Sequence, residues 1–99
     1  MVQRTSVRQE RLTKELGGNI RRWRKVNGMS ASDLAARAFV TRETLKHLED
    51  GTGAPRVESL IAVLTALGIV ESMVDATNPY RSDAARARID EIIRAGGTV

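Results

Sequence analysis

The sequence predicts an all-α fold, and three features carry that prediction. Apolar residues recur at spacings of three and four over successive segments, the stripe of an amphipathic helix. Capping residues stand ahead of these segments, and glycine or asparagine follows them. No stretch alternates apolar with polar residues over the length of a strand. At 99 residues and 41% apolar content the chain suffices for one compact core and is too short for two.

Six helices follow in order. In the first, Leu12, Leu16, Ile20, Trp23 and Val26 form the stripe, with Gly17 and Gly18 inside it. Asn27 and Gly28 stop it, since both accept the left-handed conformation that ends a helix. Ser30 caps a second helix whose Asp33 reaches back to the cap amide; it runs to Arg37 or Ala38 and buries Leu34 and Ala35. Thr41 caps the third, which buries Leu45 and Leu48, and Gly51, Gly53 and Pro55 make a loop after it. Val57, Leu60, Ile61, Leu64 and Leu67 mark the fourth, ended by Gly68. "VESMVDA" is a short fifth helix closed by Asn78 and Pro79. Ser82 opens a sixth, running to Arg94, with Asp83 in its first turn and Ala85, Ile89 and Ile92 or Ile93 on one side. That narrow, alanine-rich stripe suits packing on the domain, pairing with a second subunit, or fraying until a partner arrives.

Charge is unevenly spread. Of a net +4, residues 1–28 contribute eight cations against Glu10 and Glu15 alone, while the rest of the chain is slightly acidic. Such a one-sided field attracts polyanions, nucleic acid or an acidic membrane surface; the plainer alternative is a solvated helix face. With no cysteine, neither a disulfide framework nor a thiolate metal site is available. No apolar run approaches the roughly 20 residues needed to span a bilayer, and "MVQRTSVRQERL" lacks the apolar core of a signal peptide, so the expectation is a soluble cytoplasmic chain.

Two short helices joined by a tight turn and leaning on a longer first helix make a helix-turn-helix. The stretch "ASDLAARAFVTRETLKHLED" resembles the helix-turn-helix of the Cro and phage-repressor family, the xenobiotic-response-element type of regulator. The frame "IRRWRKVNGMS" before it and "ESLIAVLTALGI" after it extend the resemblance over residues 12–76. It implies a five-helix repressor-like domain with an additional C-terminal helix. Residues 1–11, with Arg4, Arg8 and Arg11, are then a basic arm, and residues 77–99 a helical extension. It also implies an ion pair between Arg24, four residues before Gly28, and Glu49, locking the first helix to the third. Two positions depart from the family pattern. Ala31 stands where many members have a phosphate-binding glutamine, and Phe39 stands where the turn usually has glycine. Positive φ is strained for phenylalanine, so either the turn differs or a buried ring compensates; an exposed ring that makes a contact is the third option.

With Leu45 and Leu48 inward, Thr41, Arg42, Glu43, Lys46 and His47 project outward, with Thr44 at the margin. That face carries the groups that double-stranded DNA demands. Arg42 can reach guanine O6 and N7, Glu43 can accept from cytosine N4, Thr41 can meet a phosphate or a thymine methyl, and Lys46 and His47 suit bases or phosphates. The resemblance places base reading at Arg42, Glu43 and His47. Ser32, Thr52 and Arg56 are expected at phosphates, together with amides at helix N-termini. A merely solvated helix face is the competing reading.

No enzyme is expected. His47 has Glu43 four residues before it, but that pair offers neither pocket nor nucleophile. As the only histidine in a chain without cysteine it is a poor metal ligand, and "GTGAP" lacks the lysine and strand of a phosphate loop, so no metal and no cofactor is expected. One such domain covers one half-site. A homodimer on an operator with inverted half-sites about 34 Å apart is therefore expected, with Met73, Val74, Ile89, Ile92 and Ile93 as dimer or partner surface; a monomer core could absorb the same residues. "LGIVESMVDATNP" is similar to regulators of the HipB antitoxin type, which implies a toxin kinase as a further protein partner.

Overall fold

The first helix begins ahead of its apolar stripe. In the computed structural model, which describes residues 6–99, the Ser6 hydroxyl accepts from the Gln9 amide while the Gln9 side chain accepts from the Ser6 amide. This capping box starts α1 at Val7, and the helix runs Val7–Val26 instead of starting at Leu12. Arg8 and Arg11 therefore lie on a helix rather than in an arm, and Arg4 lies outside the described residues. Beyond α1 come α2 (Ala31–Ala38), α3 (Arg42–Asp50), α4 (Val57–Leu67), α5 (Val70–Ala76), a single 3-10 turn (Pro79–Arg81) and α6 (Asp83–Arg94). Among the described residues there is no strand, and no helix is long and apolar enough to cross a membrane.

Local signals fix these bounds. Ser30 and Asp33 form the reciprocal capping box of α2, and the bonds from Ser30 hold the Asp33 carboxyl below its ordinary range. The Thr41 hydroxyl accepts from the Thr44 amide to start α3. Among the described residues, five helices end in a left-handed residue closed by the same pair of backbone bonds. At α4, for example, the Gly68 amide donates to Thr65 and the Ile69 amide to Leu64. Four of these residues are Gly28, Gly51, Gly68 and Gly96; the fifth is Phe39, at φ 55°.

The chain divides into two compact units between Ile69 and Val70, so α5, expected with the helix-turn-helix, groups with the residues that follow it. In the first unit Ile20, Leu34, Leu45 and Val63 are the largest fully buried side chains. Val63 lies off the stripe predicted for α4. Residues α1 turns inward are Gly17 and Ile20; Leu12, Leu16 and Trp23 keep 45%, 42% and 43% of their surface, and Val26 is exposed. Gly17 explains that rotation. A Cβ there would stand 2.5 Å from the Glu49 carbonyl oxygen and closer still to that of Leu48, so the missing side chain is what lets α1 rest against the end of α3.

In the second unit, Asn78 accepts from the Tyr80 amide to open the 3-10 turn, and Ser82 caps α6, which packs against that turn. Ile89 is buried, Met73 half-buried, and Val74, Ile92 and Ile93 are exposed.

Candidate nucleic-acid interface

α2 and α3 are joined by Phe39, Val40 and Thr41 alone, and both pack on α4, with α1 against α3. This frame holds α3 by one side only. Leu45 and Leu48 are sunk in the core, which leaves Thr41, Arg42, Glu43 and Lys46 exposed and Thr44 and His47 half-buried at the margin. The helix period dictates that division, because Leu48 and Glu49, three and four positions on from Leu45, face inward with it.

The C-terminal end of α3 is clamped to α1 by charge. Arg24 embraces Glu49 with two parallel bonds, Nε to Oε2 at 2.8 Å and Nη2 to Oε1 at 3.0 Å, and donates from Nη1 to the Met29 carbonyl at 3.1 Å. Arg21 adds a bond from Nε to Glu49 Oε1 at 3.2 Å and another from Nη2 to Asp50 Oδ1 at 2.7 Å. Among the described residues Glu49 is the one buried charge, and both of its carboxylate oxygens accept from a guanidinium. Its hydrogen bonds push both arginines above their usual pKa, helped at Arg21 by the bond to Asp50.

Around that anchor the polar side chains are partly committed. Arg42 Nη1 donates to Ser32 Oγ at 2.6 Å, which ties the N-terminal turn of α2 to the N-terminal turn of α3. Ser32, expected at a phosphate, has its hydroxyl bonded to Arg42. The Thr41 hydroxyl accepts from the Thr44 amide and donates its proton to Thr44 Oγ1 at 2.9 Å, leaving one lone pair and its methyl group free. His47 Nδ1 lies 3.0 Å from Thr52 Oγ1 and its Nε2 3.7 Å from Glu43 Oε1, so Glu43, His47 and Thr52 are brought together along one edge of α3. Arg56 is exposed at the N-cap of α4, where no side chain caps the helix.

The result is a shallow open groove. Arg21, Arg42 and Lys46 line it beside Glu43 and Glu49, with Ala31 and Leu45 as its floor, and a second hollow lies beyond, among Thr44, His47, Gly53, Ala54 and Pro55. Such a surface offers donors and acceptors to an extended polar partner and encloses nothing. Arg21 and Asp50 escaped the sequence reading because an arginine on a strongly basic helix carries no distinguishing pattern; the one available signal was that Arg21 shares a helix face with Arg24.

No curated protein and no solved structure matches the chain. A model of the helix-turn-helix domain family matches residues 15–76, which takes in α2, the turn, α3 and their supporting helices, and the chain belongs to that family.

Proposed function

We propose that the chain is a sequence-specific regulator of transcription that binds double-stranded DNA through α3, in the manner of the Cro and phage-repressor group, acting as a dimeric repressor that controls its own promoter. The observation that carries this reading is the one-sided anchoring of α3: core leucines and a doubly held Glu49 behind, and Arg42, Glu43, Lys46 and His47 in front. A helix fixed so firmly and dressed so variously on its free face suits the major groove, where each base pair presents its own pattern of donors and acceptors.

The roles divide along the helix. Arg42 reads guanine once it leaves Ser32, Glu43 accepts from cytosine, and His47 reads or positions beside Glu43. Lys46, Arg56, Thr52 and the amides opening α4 serve phosphates, with Arg8 and Arg11 adding long-range attraction. A second reading, of an antitoxin or adaptor whose main partner is a protein, draws on the exposed Val74, Ile92 and Ile93 of the second unit. Selection by the chain from a pool of random duplexes separates the two. An enriched inverted repeat with half-sites about one turn apart supports a dimeric regulator. A pool that never converges contradicts it.

A further inference from the structure

Phe39 stands apart from every other helix-closing residue. The closures of α1, α3, α4 and α6 place glycine at the left-handed position, where a side chain is a liability. α2 makes the same closure, with Phe39 N donating to Ala36 and Val40 N to Ala35, yet carries the only phenylalanine in the chain. The ring does not offset that strain by packing, for it is 95% exposed. Ala38 is buried and Val40 half-buried on either side, so the backbone is anchored while the ring is held outward. Folding therefore gains nothing from the ring.

Position decides what it can touch. Phe39 precedes the cap Thr41 by two residues and Arg42 by three, which keeps it within about 10 Å of the N-terminal end of α3. That end enters first if α3 lies in a major groove. The surroundings are polar: Thr41, Arg42 and Glu43 are all exposed. An apolar ring at such an edge has one apolar counterpart among the base edges of the groove, the C5-methyl group of thymine.

We propose that Phe39 is a specificity-determining residue that packs against a thymine methyl at the border of each half-site, next to the base pair read by Arg42. The proposal rests on the DNA-binding reading above. It makes the strained turn a device that trades stability for recognition.

The test compares wild type with Phe39→Gly on a duplex the wild type has itself selected, and on copies in which each thymine in turn is replaced by deoxyuridine, which lacks only the methyl group. Phe39→Gly is expected to melt about 2 to 5 °C higher, because glycine relieves the left-handed strain at some cost in chain entropy. Its affinity is expected to fall about tenfold, within the range of a single base contact. One deoxyuridine position per half-site is expected to weaken wild type by a similar factor and to leave Phe39→Gly unaffected. Equal affinity of the two proteins would overturn the role of Phe39 while leaving DNA recognition standing. A weaker variant whose loss is the same at every deoxyuridine position would overturn the thymine contact, and a lowered melting temperature would show that the ring serves the fold. Failure of the wild type to select any sequence would instead remove the DNA-binding reading itself.

Discussion

Replacing Gly17 by alanine tests the seating of α1 on α3. The added Cβ would meet the carbonyl oxygens of Leu48 and Glu49, the latter at 2.5 Å, and neither can swing aside as a side chain would. The helices must part, and overpacking against backbone falls at the upper end of the usual cost, about 2 to 3 kcal/mol. Alanine returns about 1 kcal/mol through its better helix propensity. The net loss of about 1 to 2 kcal/mol corresponds to a Tm lowered by roughly 4 to 16 °C in a domain of this size. Gly18 is the internal control. Its Cβ would meet only the Arg22 guanidinium, at 3.3 Å, which is the far end of a flexible side chain. Gly18→Ala should therefore keep the propensity gain and melt about 2 to 8 °C above wild type. Thermal unfolding followed by circular dichroism reads both variants. A Gly17→Ala protein as stable as wild type, or two variants shifted alike, would refute the claim that Gly17 marks the point of closest approach.

Two further substitutions probe the clamp and the reading face. Glu49→Ala strands Arg24, whose side chain keeps only 14% of its surface, and frees Arg21, at 44%. Losing one partner of a buried pair costs about 3 to 5 kcal/mol, and the partial exposure of the arginines reduces this to about 2 to 3 kcal/mol. Arg21→Ala, which removes the two more exposed pairs, should cost clearly less than Glu49→Ala. Urea titration ranks the two, and an unchanged midpoint for Glu49→Ala would argue that the pair does not hold α1 to α3. Arg42→Ala should leave Tm within about 4 °C of wild type, as surface changes usually do, and relax base preference at one position of each half-site. Repeating the duplex selection with the variant checks this, and an unaltered preference would mean that base reading lies elsewhere on the chain.

Much of the helical frame was legible because its signals are local. Ser30, Thr41 and Ser82 cap where hydroxyl residues precede an apolar stripe, and Gly51 and Gly68 stop helices where expected. Packing between distant segments was less so. The stripe of α1 pointed to Leu16 and Trp23, but Gly17 draws α1 toward α3 along a neighbouring line, and periodicity alone does not say which side of a helix comes closest to another. The start of α1 was misplaced because a polar first turn offers no apolar stripe to follow, although the Ser6 and Gln9 pair was there to be read. Within the site, the outward set on α3 follows from its period, whereas the bonds that tie Arg42 to Ser32 and His47 to Thr52 span a turn and a loop whose geometry no spacing encodes. Phe39 is the reverse case. Sequence raised the conflict between ring and turn, and the structure resolves it with positive φ and an exposed ring.

Fluorescence anisotropy on a duplex from upstream of the chain's own gene and on a scrambled duplex, between 50 and 200 mM salt, tests sequence-specific DNA binding most directly. The expected result is a preference of about a thousandfold or more for the upstream duplex, with affinity falling steeply with salt, by about 0.9 log units per log unit of salt for each phosphate contact. Equal and weak binding to both duplexes, or none, would contradict it and leave α3 as scaffold for a protein partner.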